Sequence, residues 1–565
     1  MVVIAMIKKK VRQISRSRDI VYAFTRHGFG FLVKEMGLLD LLAVPKKLFV
    51  EGTRSSAGKS TGERVRLFLE ELGPTFVKIG QIASTRPDII PPDIIKELVK
   101  LQDQVPPFPF EEVKAIVEQE LADSLKNTFA QFSEEPIAAA SIGQVHAATL
   151  HTGEKVAIKV QRPQVKQVME TDLEILQELA RVADARIEWA RRYQVREIME
   201  EIANSLRLEL DYKIEARNSE KIAHQFTANP KVLIPKIHWE YTTEKMITME
   251  YIEGIKLNEE ERLHQAGYNI KNLGETVVNA IFQQILIDGF FHGDPHPGNI
   301  LALPGEVIAF MDFGIIGRLS SDMRNHLASF VIALMNRNTD EVVRGITNMG
   351  LVPDDVDRKQ LRLDVDRLRE KYSDVPFSEM SMGKTVNDLF TVAFRHRIQL
   401  PTDLTILGKT LLTIEGVIEK LDPELNIVKI AEPFGRQLLK ERYHPKNMAE
   451  KMWSQVNEYG DILNDLPKQV KEMAAIMSKG RMKIDLTSPE IDSFVKKLNR
   501  ISNRISFSMI LLSISILLTG VIIGTSISGQ TSKLLTNYSI VELGFGIIIT
   551  LFLWLLFSIF KSGRF

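Results

Sequence analysis

At 565 residues the chain exceeds what one ordinary hydrophobic core can organise, so roughly two to four structural units are expected. Hydrophobic residues at 44% and charged residues at 25% describe a folded chain, not a disordered one. Lysine plus arginine balance aspartate plus glutamate at 72 each, which gives nucleic acid no footing, and the absence of cysteine excludes disulfides, thiolate catalysis and cysteine-ligated metals.

The first residues, MVVIAMIKKKVRQISRSR, set a short apolar run ahead of a basic cluster. That charge order is the reverse of a signal peptide, and the run is too short for one. The pattern suits a basic amphipathic segment on an anionic membrane surface as well as it suits a solvated terminus. Residues 20–60 read as mixed helix ending in the turn-rich EGTRSSAGKSTG. Ala57-Gly58-Lys59-Ser60 looks like the tail of a phosphate-binding loop, but the first glycine and the preceding apolar strand are missing. Residues 1–60 therefore read as a basic helical segment followed by a linker.

Residues 61–130 are helical in pattern. One helix ends near Gly73, Pro74 opens the next, Arg86-Pro87 ends that one, and Pro91-Pro92 starts another. On the helix after Pro74, Lys78 and Gln81 are three apart and share a face, with Gly80 beside them allowing close backbone approach. From these residues alone, a solvated lysine is as good a reading of Lys78 as a site residue.

Residues 131–254 carry a nucleotide-covering hairpin. Gln144 to Leu150 and Lys155 to Gln161 alternate about a Thr152-Gly153 turn. Val156-Ala157-Ile158-Lys159 matches the kinase strand whose lysine contacts the α- and β-phosphates of ATP. The loop ahead of it is Ala138-Ala139-Ala140-Ser141-Ile142-Gly143, continuing into Gln144 and Val145, where a kinase would be glycine-rich. Alanine restricts φ and adds a methyl group, so this loop should hold ATP and release its γ-phosphate differently. In the helical stretch that follows, Glu209, Asp211 and Glu215 form a carboxylate cluster. Lys159 needs a glutamate partner from such a helix; Glu209 and Glu215 both qualify, and spacing does not choose between them. Val232 to Pro235 and Lys245 to Tyr251 read as strands. Met249-Glu250-Tyr251-Ile252 stands at the place of a hinge, where backbone near Glu250 and Ile252 would meet adenine, and Gly254 turns the chain into a helical lobe over 255–440.

The richest stretch is His292-Gly-Asp-Pro-His-Pro-Gly-Asn299, then the hairpin-like run Ile300 to Phe310, then Met311-Asp312-Phe313-Gly314. Asp294 and Asn299 are five apart, the interval of a kinase catalytic loop. Phosphoryl transfer needs a carboxylate to orient the attacking hydroxyl or water, and oxygen ligands to hold Mg²⁺ against the phosphates. Asp294 fits the first role, Asn299 and Asp312 the second, with ATP as the nucleotide. No Ala-Pro-Glu follows, and by about Ser320 the chain enters a helix, so the activation segment that docks a peptide is missing. His296 is placed as in small-molecule kinases, either to touch the γ-phosphate or to brace its Pro-flanked loop. Residues 320–500 are helical in pattern with breaks at Pro353, Pro401, Pro423, Pro433 and Pro445.

After a helical connector over 441–504, two uncharged runs, 505–527 and 544–560, each approach the ~20 apolar residues needed to cross a bilayer. Lys496, Lys497, Arg500 and Arg504 precede them, Lys561 and Arg564 follow, and only Lys533 lies in the short connection. The expectation is a transmembrane hairpin over 505–560 with both ends cytoplasmic.

With Lys78-Ile79-Gly80-Gln81, Ala138 to Gly143, Lys159, Glu209-Leu210-Asp211, Asp294, Asn299 and Asp312 in this order, the chain resembles the UbiB family of atypical kinases over about residues 60–340. Its C-terminal hairpin is similar to that of the bacterial membrane-anchored members. The resemblance implies an α+β, bilobal protein kinase-like fold with an N-terminal helical extension over the cleft. It also implies a regulatory set of Lys78, Gly80, Gln81, Glu209, Asp211 and Glu215, in which Lys78 pairs with Glu209 or Asp211 and leaves Glu215 for Lys159. The expected function is that of a membrane-anchored, Mg-ATP-dependent ATPase or kinase in ubiquinone or other isoprenoid-quinone biosynthesis. It would face the cytoplasm at the bacterial inner membrane, with membrane lipids, isoprenoid-quinone precursors and quinone-biosynthesis proteins as partners. A lipid or small-molecule kinase and a non-catalytic nucleotide-binding scaffold are the alternatives.

Overall fold

The computed structural model describes residues 2–37, 58–101, 106–335, 339–349, 356–373 and 381–427, with scattered positions elsewhere. Nearly all of them belong to one compact unit, Met1–Lys451; of a second, Met452–Phe565, only a few helical positions between 509 and 519 are described. The connector over 441–504 and almost all of the expected hairpin over 505–560 thus lie outside the described residues. Among the described residues, no helix is long and apolar enough to cross a membrane.

Among the described residues, five helices come first: α1 (Val2–Arg26), α2 (Gly30–Glu35), α3 (Thr61–Leu72), α4 (Pro74–Ser84) and α5 (Pro92–Leu98). Ser60 caps α3 by accepting the Glu63 N–H at 3.1 Å, so Ala57-Gly58-Lys59-Ser60 leads into a helix, not a phosphate loop. Gly73, at φ +93°, makes the corner before Pro74. Ile20, Phe68, Leu72, Phe76 and Leu98 form the core of this group. Gly80 lies at a close crossing, where a Cβ would stand 2.3 Å from a Leu101 methyl and 2.7 Å from one of Leu69. Just after α4, Arg86 pairs with Asp88 at 2.9 Å and with Glu201 at 2.7 Å, while Asp88 also accepts the Leu400 N–H at 3.2 Å. The extension is thereby fastened to two distant parts of the unit.

After α6 (Phe110–Leu121) and the short α7 (Leu125–Thr128) come β1 (Phe129–Ala139), β2 (Gly143–Leu150) and β3 (Lys155–Gln161). Four helices follow: α8 (Val165–Arg186), α9 (Glu188–Arg192), α10 (Val195–Glu209) and α11 (Tyr212–Gln225). Then β4 (Val232–Leu233) and β5 (Met246–Glu250) complete this part, and β1-β2-β3-β5 form one antiparallel sheet. Leu150, Val156, Ile158, Val160 and Met246 build its core with Val113 and Val117. Two corrections arise at β1. The sequence shows no strand there, because Pro136, the Glu134-Glu135 pair and three register shifts break its alternation. Ala138 and Ala139 also belong to this strand, paired with Val145 and Gln144, so the loop is shorter than Ala138 to Gly143.

The remainder is mostly helical. It contains β6 (Ile255–Lys256), α12 (Glu260–Gln265), α13 (Ile270–Phe282), β7 (Phe290–His292), β8 (Ile300–Leu303), β9 (Val307–Phe310) and β10 (Ile316–Arg318). Strand order β4-β9-β8-β6 makes a second sheet, parallel only at β4-β9, and β7 pairs with β10. Helices α14 (Ser321–Met335), α15 (Thr339–Met349), α16 (Arg358–Ser373), α17 (Met382–Arg395) and α18 (Thr402–Leu421) follow. Pro401 stands directly before α18, where proline cannot interrupt the helix ladder. Val277, Ile281, Phe291, Ile300, Phe310, Ile414 and Ile418 share one core, which anchors the stretch 292–314 through Ile300, Phe310 and Phe313.

Candidate active site

Lys159 sits at the centre of β3, opposite Val145 on β2 and Ile247 on β5. Its ammonium lies 2.9 Å from both carboxylate oxygens of Glu215 and 3.6 Å from Asp312 Oδ2. The Tyr212 ring centroid is 5.2 Å from the same nitrogen. Burial works against the Lys159 charge, yet Asp312 and Glu215 overcome it and hold the ammonium well above its ordinary range. Lys159 in turn keeps the Asp312 carboxyl well below the usual carboxylate range. Burial pushes Glu215 upward against the pull of Lys159.

The choice between Glu209 and Glu215, open in the sequence, is made by a helix boundary. Glu209 ends α10, and Asp211 starts α11 by accepting the Lys213 N–H at 3.0 Å. Glu215 falls one turn later, beneath Lys159. Glu209 instead meets Lys78, with Nζ to Oε1 at 2.6 Å. Lys78 also helps to hold Asp312 low, so α4 brings its charge toward the same pocket. Gln81 is committed elsewhere, its amide donating to the Leu101 carbonyl at 3.3 Å.

The turn over Lys159 is tight. The Ala140 N–H donates to the Gly143 carbonyl at 2.8 Å, and Arg162 grips the turn from outside. Its backbone N–H donates to the Ile142 carbonyl at 2.8 Å, and its guanidinium donates to the Ala140 carbonyl at 2.9 Å and the Pro106 carbonyl at 2.7 Å. The Ser141 and Tyr212 hydroxyls are buried beneath this turn without hydrogen-bond partners among the described residues. Gly143 must be glycine here, since a Cβ would stand 2.4 Å from the Tyr212 hydroxyl and 2.6 Å from the Val160 carbonyl. Gln144 turns its side chain to Phe108, accepting its N–H at 2.9 Å and donating to its carbonyl at 3.2 Å. At the hinge position, the Glu250 N–H donates to the Lys236 carbonyl at 2.8 Å. Ile252 lies half-buried in the link to β6, close to where Gly254 passes the backbone of Ala302.

Below them, β7 delivers His292, fully buried. Its Nδ1 accepts the Asp294 N–H at 3.1 Å, which leaves Nε2–H to donate to the Met311 carbonyl at 3.1 Å. Burial lowers the pKa of His292, so this neutral tautomer is the stable one. Asn299 donates from its side-chain amide to the Asp294 backbone carbonyl at 3.3 Å, and its backbone carbonyl accepts the Met311 N–H at 2.8 Å. Asp312 takes the left-handed conformation at φ +59° and accepts the Gly314 N–H at 3.2 Å. Asp294, Asn299 and Asp312 are thus tied to one another through His292 and Met311. His296 uses Nδ1 to accept the Gly298 N–H at 3.1 Å, a bracing contact within the loop.

Three neighbours of the site carry no recognisable signal in the sequence. Tyr212 follows Asp211 and reads as an ordinary aromatic. Arg162 follows the hairpin, where a basic residue signals nothing specific. Lys409, on α18, places Nζ 3.2 Å from Asp294 Oδ1, and its distance along the chain hides it.

A donor set of one carboxylate and one amide oxygen suits Mg²⁺, which takes few protein ligands and fills its shell from phosphates and water. Among the described residues no group of three or more His, Asp and Glu offers a closed metal cage. The orphaned Ser141 hydroxyl and the paired Lys159 fit a phosphate-bearing ligand.

Three family models match in succession: an ABC1 atypical kinase-like domain over residues 100–346, a UbiB helical domain over 365–426, and an ABC1/UbiB kinase-like C-terminal domain over 489–561. An uncharacterized protein of Synechocystis sp. is 34% identical over 439 residues, covering 77% of this chain and 75% of its own. Another uncharacterized protein, from the hydrogenase 1 5′ region of Clostridium pasteurianum, is 32% identical over 97% of this chain and 99% of its own. A protein of Xanthomonas campestris pv. campestris named "Probable protein kinase UbiB" is 33% identical over 88% of this chain and 91% of its own. Matched along nearly its whole length and folded in the kinase-like manner, the chain belongs to the UbiB family of atypical kinase-like proteins.

Proposed function

We propose that this protein is a membrane-anchored ATPase or small-acceptor kinase that uses Mg-ATP and supports the handling of isoprenoid-quinone intermediates. The observation that carries the reading is Lys159, suspended between Glu215 at 2.9 Å and Asp312 at 3.6 Å. A buried lysine with two carboxylates has more negative charge than it needs, and one carboxylate is free to serve a metal. With ATP in place, Lys159 holds phosphate oxygens while Glu215 fixes its position. Asn299 and Asp312 would hold Mg²⁺, which neutralises charge on the phosphates when bound. Asp294 orients the attacking water or hydroxyl and takes its proton. The new P–O bond forms at the γ-phosphorus as the bridging P–O bond breaks, and its electron pair leaves with ADP.

The short path from Asp312 through β10 to α14 leaves no long segment on which a peptide could dock, which favours water or a small acceptor. The quinone assignment and the inner-membrane location rest on the family and on the apolar runs over 505–560. The test is phosphate release from Mg-ATP by the full chain in detergent or lipid, with and without isoprenoid-quinone precursors, against Asp294→Asn. Release that the variant matches would overturn the catalytic reading in favour of a scaffold. Solubility of the protein lacking residues 505–565, with nucleotide binding retained, would support the anchor, and insolubility would count against it.

A further inference from the structure

We propose that Lys409 is a positioning residue for Asp294, and that α18, which lies outside the matched kinase-like domain, completes the catalytic centre. The inference rests on the function proposed above. Helix α18 presents one face to the stretch 292–318 through residues spaced three and four apart. Asp403 accepts the Arg318 N–H at 2.8 Å. Ile406 presses on the backbone at Gly293, where a Cβ would come within 2.8 Å of its methyl. Thr410 donates its hydroxyl to the His292 carbonyl at 3.4 Å. Between them, Lys409 sets its ammonium 3.2 Å from Asp294 Oδ1. Four contacts on consecutive turns fix the helix against the loop, so the lysine is aimed rather than free to wander.

The chemistry follows from that aim. Lys409 engages one carboxylate oxygen of Asp294, sets the plane of the group, and leaves the other oxygen to the nucleophile. The transferring phosphoryl group passes through a loose transition state in which orientation outweighs early proton removal. The pair is about 28% exposed at Lys409 and 29% at Asp294, open enough for a phosphate-bearing substrate to reach it.

The experiment measures steady-state phosphate release from Mg-ATP by the full chain in detergent, for wild type, Lys409→Met, Lys409→Arg, Asp294→Asn and the Lys409→Met/Asp294→Asn double variant. Lys409→Met should lower kcat by about 10- to 100-fold, the range for losing one charge-assisted contact, with KM for ATP within about twofold. Lys409→Arg should restore most of kcat, and the double variant should be no slower than Asp294→Asn, because both changes act on one group. Melting temperatures are recorded for every variant. A Lys409→Met kcat within twofold of wild type overturns the inference. So does a joint collapse of kcat, KM and melting temperature that arginine fails to rescue, since that marks a purely structural lysine. If wild type and Asp294→Asn release phosphate equally, the proposed function itself fails, and the role of Lys409 falls with it.

Discussion

The Lys159–Glu215 pair allows a quantitative test by a double-mutant cycle with Lys159→Met and Glu215→Gln. The two side chains are 12% and 8% exposed and meet through two contacts of 2.9 Å, so solvent screens them little. At that separation their attraction is on the order of 5 kcal/mol for an effective dielectric of about 20, before desolvation takes part of it back. Glu215→Gln leaves Lys159 with Asp312 at 3.6 Å, so the orphaned charge is partly compensated, and the loss should fall at about 2–3 kcal/mol. Lys159→Met leaves Glu215 buried without its cation and should cost about 3 kcal/mol or more, moderated because burial already favours protonation of that carboxyl. The double variant removes both charges, so the cycle should return a coupling of about 2 kcal/mol. The assay is urea unfolding of the nucleotide-free protein at neutral pH. A coupling below about 0.5 kcal/mol would show that the two groups do not share the buried contact, and the placement of α11 under β3 would be wrong.

Gly80→Ala should destabilise the protein by about 1–3 kcal/mol, read by thermal melting, because its Cβ would stand 2.3 Å from Leu101 and 2.7 Å from Leu69; an unchanged melt would refute that crossing. Asp312→Asn keeps a side chain that tolerates φ +59° yet loses the charge, so the Mg²⁺ concentration for half-maximal phosphate release should rise at least tenfold, about 1.4 kcal/mol; an unaltered Mg²⁺ titration would remove Asp312 from the metal site. His292 has its folded pKa below the ordinary 6.5, so the unfolded chain binds the proton that the folded one refuses. Its contribution is full above about pH 6.5 and is lost as pH falls below it, so His292→Asn should flatten the acid side of the stability profile; identical slopes would show that burial does not hold this imidazole neutral. Ala139→Gly should shift ATP affinity by loosening the end of β1, measured by calorimetry, and no shift there or in Ala140→Gly would undercut the role given to the alanines.

Much of the architecture was legible because its signals are local. Pro74, Pro92 and Pro401 open helices, Gly153 turns the hairpin, and the alternation of Lys155 to Gln161 places Lys159 on a strand. The spacing of Asp294, Asn299 and Asp312 carried the chemistry for the same reason, since a loop, a hairpin and a second loop bring them together without outside help. What stayed hidden depends on neighbours remote in the chain. Whether Glu209 or Glu215 faces Lys159 turns on where Asp211 breaks one helix and starts the next. β1 is an edge strand whose bulges and proline erase its period, and it is recognised only through its partner β2. Lys409 reaches Asp294 from a helix whose own sequence shows nothing but amphipathic spacing.

The Arg86–Asp88 pair bears on how this protein can be divided. Asp88 holds the backbone of Leu400 and Arg86 holds Glu201, while Ile79 and Ile82 of α4 cover Ile142, Leu206 and Tyr212. A fragment starting near residue 100, where the kinase-like match begins, would strip that cover and bare an apolar floor under the nucleotide turn. Such a truncation should aggregate instead of yielding a smaller soluble enzyme, because the boundary drawn by sequence similarity cuts through a single cooperative body.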